Sequence, residues 1–102
     1  MKIRLSTLAA AAVLAAFATG AAAEPVVAKL QSPLTKRQKP IAGEAAFVCE
    51  GDTCTASTPA SGTNTVPACR QLVRVVGPVS SFGAGAQALD ADKLARCNAA
   101  AK

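Results

Sequence analysis

Four cysteines, Cys49, Cys54, Cys69 and Cys97, sit in a 102-residue chain that has no histidine, tryptophan or tyrosine. An even cysteine count in a chain this short reads as a disulfide framework if the chain reaches an oxidising compartment. A zinc site would need close cysteine pairs or Cys/His sets. Here four, fourteen and twenty-seven residues separate successive cysteines. The thioredoxin-type pair is also absent, because four residues rather than two lie between Cys49 and Cys54. Two bridges are expected, and the count alone leaves three connectivities open.

The apolar content makes those bridges necessary. The hydrophobic fraction is 51%, but 25 of those residues are alanine and ten of the alanines precede Glu24. Between Ala45 and Lys102 there are only eleven large aliphatic or aromatic side chains. A core that small rarely holds a domain together without covalent help.

Residues 1–23 have the three parts of a secretory signal peptide. Lys2 and Arg4 form the positive start. Leu5 to Ala18 is an apolar run broken only by Ser6 and Thr7, and Ala21-Ala22-Ala23 is a small-x-small cleavage site. An uncleaved anchor is the alternative, since the run is nearly long enough to span a bilayer. The three alanines and the missing positive flank favour cleavage after Ala23. The expected address is therefore the periplasm or the exterior, without stable membrane insertion after cleavage.

Residues 24–44 read as a basic, proline-punctuated arm. Lys29, Lys36, Arg37 and Lys39 carry its charge, while Pro25, Pro33 and Pro40 remove backbone donors and disfavour helix. Such an arm is expected to be flexible. Four charges on a mobile tether attract anionic surfaces only weakly and in a salt-sensitive way.

Residues 45–102 read as the folded domain. Ala45 to Ser57 suits a β-hairpin, with Gly51-Asp52 as a two-residue turn whose first position favours glycine. Cys49 and Cys54 would then face each other in a non-hydrogen-bonded pair, where side chains approach closest. Alternation places Phe47, Cys49, Cys54 and Ala56 on one face. Thr58 to Asn64 reads as an exposed, mobile loop. A helix follows, with Thr65 as cap, Pro67 in the first turn and Gly77-Pro78 as the stop; Cys69, Leu72, Val73 and Val76 form its apolar stripe. Val79 to Phe82 suits a third strand. A second helix is expected from Asp90, with Leu89 and Leu94 stapling its start and Ala91, Leu94, Ala95 and Cys97 sharing an inner face. Each helix then carries one inward cysteine, which favours Cys69–Cys97 beside Cys49–Cys54.

The expected class is thus α+β: a disulfide-stapled β-β-α-β-α domain with a three-stranded sheet and two short helices, behind a flexible basic arm. The first strand of the hairpin is the natural centre of that sheet, since the third could then run antiparallel to it.

Three motifs invite functional readings. Gly83-Ala84-Gly85-Ala86-Gln87-Ala88 matches a dinucleotide fingerprint, but the chain ends too soon for the strand and acidic residue that must follow. Asp90-Ala91-Asp92 resembles the start of a calcium loop, yet the glycine turn and terminal glutamate are missing and helix capping explains both aspartates. Glu50 and Asp52 could form an acid/base pair only in an enclosed site, and they flank a solvent-facing turn. Catalytic, cofactor and metal residues are therefore expected to be absent.

Several segments taken together resemble a family of small exported alphaproteobacterial proteins of unknown function. They are Ile41-Ala42-Gly43, Cys49-Glu50-Gly51-Asp52-Thr53-Cys54, Ala68-Cys69-Arg70, Val76-Gly77-Pro78-Val79, Ser81-Phe82-Gly83 and Leu94-Ala95-Arg96-Cys97-Asn98. The resemblance spans roughly Ile41 to Ala100 and implies a periplasmic address without any mechanism. The expected function is binding of another protein or an envelope component, without enzymatic activity and without nucleic acid as partner. The alternative is a thiol-redox protein that uses the Cys49/Cys54 pair.

Overall fold

The centre of the sheet is a strand from the segment that the prolines and charges mark as an arm. The computed structural model describes residues 24–102, so the leader and its cleavage site lie outside the described residues. Within them, Val26–Leu30 forms β1, whose Val26, Ala28 and Leu30 point into the core while Lys29 faces solvent. This is the period-2 alternation of a half-buried strand. Pro25 precedes the strand and Pro33 follows it, so neither removes a donor from it.

Two very short strands, Ile41–Ala42 (β2) and Ala45–Ala46 (β3), pair antiparallel as a separate ribbon. The hairpin follows as Val48–Glu50 (β4) and Thr53–Ala56 (β5), with Cys49 opposite Cys54 as expected and Glu50 opposite Thr53. Gly51 takes a φ of 59°, the left-handed value that makes glycine the natural residue at that turn position. Helix α1 spans Val66–Val76, and Val79–Gly83 (β6) returns to the sheet. A single 3₁₀ turn at Gly85–Gln87 leads to helix α2, Ala91–Asn98.

The class is α+β, and the sheet arrangement corrects the expected one. There are four strands in the main sheet, in the order β4-β5-β1-β6, all antiparallel. The hairpin's first strand is at an edge rather than at the centre. β1 separates the hairpin from β6, because the Val26, Ala28 and Leu30 side chains add to a core that the hairpin alone could not complete.

Nor is the rest of the arm a loose tether. After β1 the chain passes around the hairpin tip and returns along the outer side of β4. The Leu30 N–H donates to the Asp52 carbonyl at 2.7 Å, and the Leu34 N–H donates to the Gly51 carbonyl at 2.8 Å. Gln38 and Cys49 exchange two backbone hydrogen bonds, at 2.9 and 2.7 Å, and the Phe47 N–H donates to the Pro40 carbonyl at 2.8 Å. The reason lies in the hairpin register. A non-hydrogen-bonded Cys49–Cys54 pair turns the Cys49 N–H and C=O outward, and Gln38 supplies their partners.

One core joins the inner sheet face to the helices. Phe47 and Phe82 are both fully buried, with ring centroids 6.1 Å apart, and lie in the same core as Leu72, Val73 and Val79. Helix α1 begins at Thr65, whose Oγ1 accepts from the Ala68 N–H at 3.2 Å, and ends at Gly77. Its buried residues include Cys69, Leu72, Val73 and Val76, the expected stripe. Helix α2 begins at Asp90, whose carboxylate accepts from the Lys93 N–H at 2.9 Å. Its inner face is narrower than expected: Cys97 is buried and Leu94 half-buried, but Ala91 and Ala95 are exposed. Two turns of helix touch the core along one line, and small alanines cannot reach it from either side.

The loop from Thr58 to Asn64 is likewise tied down near its end. Thr63 is fully buried; its hydroxyl donates to the Gly43 carbonyl at 2.6 Å and accepts from the Ala60 N–H at 2.8 Å.

Candidate functional site

The sulfur atoms come first, since they are the chain's most reactive groups. Cys49 is bridged to Cys54 across the hairpin, and Cys69 to Cys97 between the two helices. The Cα atoms are 3.9 Å apart in the first pair and 5.6 Å in the second. All four residues have no exposed surface, and no described cysteine is free. The pairing is the one favoured on the sequence. A thiolate cannot attack a disulfide that it cannot reach, so burial holds both bridges out of exchange chemistry.

The carboxylates that the sequence singled out are dispersed. Glu50 lies on the outer sheet face, 3.9 Å from the Arg37 guanidinium, with both side chains more than half exposed. Asp52, in the turn itself, accepts at 2.9 Å from the Thr53 hydroxyl, which in turn accepts from Lys29. Asp90 is occupied as a helix cap, and Asp92 lies exposed in the first turn of α2. Gly83 ends β6 and Gly85 opens the 3₁₀ turn, and the next element is the helix α2. Among the described residues no group of three or more His, Cys, Asp or Glu side chains is placed to hold a metal ion.

An open cleft of about 280 Å³ lies beside the start of β1, lined chiefly by Glu24, Pro59, Ala60, Asn64 and Gln87. The Asn64 Nδ2 donates to the Gln87 carbonyl at 3.2 Å, and its Oδ1 is buried without a partner. These walls hold no nucleophile–base pair of the kind that bond cleavage requires.

The outer face of the sheet is the feature that sequence reasoning missed. Residues opposite one another across strands share a face, so the register can be read as rows. Lys39, Val48, Thr55 and Val27 form one row; Arg37, Glu50, Thr53, Lys29 and Ser81 form the next. Arg37 and Lys39 flank Gln38, whose bridge to Cys49 sets their side chains outward opposite Glu50 and Val48. Lys29 donates to the Thr53 hydroxyl at 3.1 Å. Ile41, opposite Ala46, extends the apolar part of the face; Ile41 is 67% exposed and Val48 37%. The signal for this face was the alternation Val27/Lys29 and Val48/Glu50, but it could not be assembled without knowing that 26–30 and 37–39 join the sheet.

Both margins of the sheet are partly covered. Gln38 and Pro40 bond to Cys49 and Phe47 on one side, with the Arg37 and Lys39 backbone facing away from β4, and on the other the Asn98 side chain bonds to Val79 while the Leu89 N–H donates to the Phe82 carbonyl at 2.8 Å. Such cover hinders strand-to-strand association. Within the described residues no helix is long and apolar enough to cross a membrane.

These features define a small α+β domain, cross-linked twice, with an open basic sheet face. The family of unknown function DUF8200 matches residues 7–99, and the chain belongs to it. Neither a curated protein nor a solved structure matches the chain.

Proposed function

We propose that this is an exported, non-enzymatic binding protein of the bacterial periplasm, released by cleavage after Ala23 and acting on an envelope component or another protein. The observation that carries the reading is the complete burial of both bridges in the core. Such bridges form and persist where the surroundings are oxidising, and they serve structure rather than chemistry. The apolar leader-like start supplies a route to that compartment, as the family resemblance also implies.

With sulfur committed to the core, the surface that remains for function is the outer sheet face. It offers cations, two exposed carboxylates, hydroxyls and aliphatic side chains, a set suited to adhesion rather than to bond-making. The thiol-redox alternative loses ground to the same burial, since exchange needs an accessible sulfur.

Intact mass and disulfide mapping of protein recovered from the exporting cell test the address. The expected species begins at Glu24, has both bridges and carries no free thiol. Retention of the leader, or four thiols in folded protein, would overturn the reading. Crosslinking in intact cells tests the binding role, and failure to recover any reproducible protein or lipid adduct counts against it.

A further inference from the structure

We infer that the outer sheet face binds the surface of an anionic lipid bilayer, resting peripherally on the headgroups through Lys29, Arg37 and Lys39 with Ile41 and Val48 between them. The inference deepens the binding role proposed above and rests on it. Three observations lead to it.

The first is that the cations are held in a plane. Lys29 projects from the central strand β1, while Arg37 and Lys39 project from the segment hydrogen-bonded along β4. Three strand spacings separate Lys29 from the Arg37 and Lys39 pair, roughly 14 Å at about 4.8 Å each. That spread exceeds any single phosphate or carboxylate and is larger than the screening length in physiological salt. Such charges act independently on an extended anionic surface, where each Lys or Arg contributes on its own.

The second is the apolar content of the same face. Two of the three exposed large hydrophobics among the described residues, Ile41 and Val48, belong to it. Aliphatic side chains flanked by cations match the boundary between headgroups and acyl chains.

The third concerns what a folded protein partner would look for. Hot spots at protein interfaces are built on exposed Trp, Tyr and Arg. This chain has neither Trp nor Tyr, Phe47 and Phe82 are fully buried, and Arg37 is the one such residue on this face. The covered stretches of β4 and β6 are also closed to strand addition by a peptide. Glu50 opposes the attraction, and its carboxylate partly neutralises Arg37 at 3.9 Å. Asp52 opposes it too, bonded to the Thr53 hydroxyl that Lys29 also reaches, so the face carries three cations against two anions.

The test uses the exported, oxidised protein and co-sedimentation with vesicles. One set is phosphatidylcholine alone, and the other contains about one third phosphatidylglycerol. Binding is expected to the second set only, and to fall steeply as salt rises to about 0.5 M. Neutralising both Arg37→Gln and Lys39→Gln should weaken binding about 25-fold, at about fivefold per charge. Glu50→Gln should strengthen it about fivefold, an outcome that damage to the fold cannot produce. Arg70→Gln with Arg74→Gln, on α1, should leave it unchanged.

Equal loss from the α1 pair would mean that net charge alone is at work and would overturn the assignment of this face. So would equal binding to both vesicle types. Capture of soluble polyglutamate with no vesicle binding would replace lipid by an acidic protein. If vesicles fail while crosslinking in cells still returns a protein, the lipid assignment falls and the binding role stands.

Discussion

Asn98 and Val79 exchange two hydrogen bonds, with the Asn98 carboxamide accepting from the Val79 N–H and donating to the Val79 C=O, each at 2.8 Å. One side chain thereby substitutes for a neighbouring strand at the end of β6. It also fixes the last turn of α2, one residue beyond the Cys97 bridge, against the sheet.

Asn98→Ala leaves the N–H of a fully buried strand residue unpaired and its C=O with only the longer bond from Gln31 Nε2, at 3.3 Å. The expected destabilisation is about 2–3 kcal/mol, because orphaned buried groups lose their water without replacement. Asn98→Asp retains the acceptor but sets a carboxylate against the Val79 carbonyl, and should be at least as damaging. Urea unfolding followed by far-UV circular dichroism reads both; a loss within about 0.5 kcal/mol for the alanine variant would contradict the role.

The two bridges should differ in weight. Chain entropy assigns about 2 kcal/mol to the short Cys49–Cys54 loop and about 3.5 kcal/mol to the longer Cys69–Cys97 loop. Replacing Cys69 and Cys97 by alanine should therefore destabilise more than replacing Cys49 and Cys54. Removing both pairs should leave the chain largely disordered at neutral pH, since so few large apolar residues remain to hold it. Unchanged circular dichroism of the four-alanine variant would refute this. Because all four cysteines are buried, native protein should also resist dithiothreitol until denaturant is added.

Local signals carried the hairpin, both helices and both bridges, and each rests on short-range physics. Gly51 at a two-residue turn, Thr65 and Asp90 as caps and the Cys69-Leu72-Val73-Val76 stripe all act within one turn or one strand pair. The central strand was equally present as Val26-Ala28-Leu30 alternating with Lys29, but Pro25, Pro33 and four cations outweighed a pattern of five residues. Its role depends on partners 24 or more residues away, and pairing at such distance leaves no mark on composition. The Asn98 contact belongs to the same class. An asparagine near a helix end does not announce that it will complete a sheet edge.

Two glycines with similar backbone angles should respond differently to substitution. Gly51 has a φ of 59° and open space where a Cβ would stand, so Gly51→Ala should cost only the left-handed strain of about 1–2 kcal/mol. Gly43 has a φ of 55°, and a Cβ there would lie 2.5 Å from the Ala68 Cβ and 2.7 Å from the Thr63 Cα. Strain and overlap with α1 then add, and Gly43→Ala should lose about 3 kcal/mol or more. Thermal unfolding of the pair compares them directly; equal midpoints would show that the β2–β3 turn is not packed against α1 as described.

The segment around the hairpin tip makes a kinetic prediction that separates a pinned strap from a tether. The amide hydrogens of Leu30, Leu34 and Gln38 donate to Asp52, Gly51 and Cys49, while Lys36 and Arg37 donate to no backbone acceptor of this set. Native-state hydrogen exchange should therefore show protected amides at 30, 34 and 38 with rapid exchange at 36 and 37. Gln38→Pro removes one of the two bonds to Cys49 and should release the strap, raising exchange at residue 34 as well as at Cys49. The hairpin's own Glu50–Thr53 pairing should stay protected, because its bonds run to β5 and not to the strap. Uniformly fast exchange from 31 to 40 in the unaltered protein would return this stretch to a free arm, and with it the fixed positions of Arg37 and Lys39.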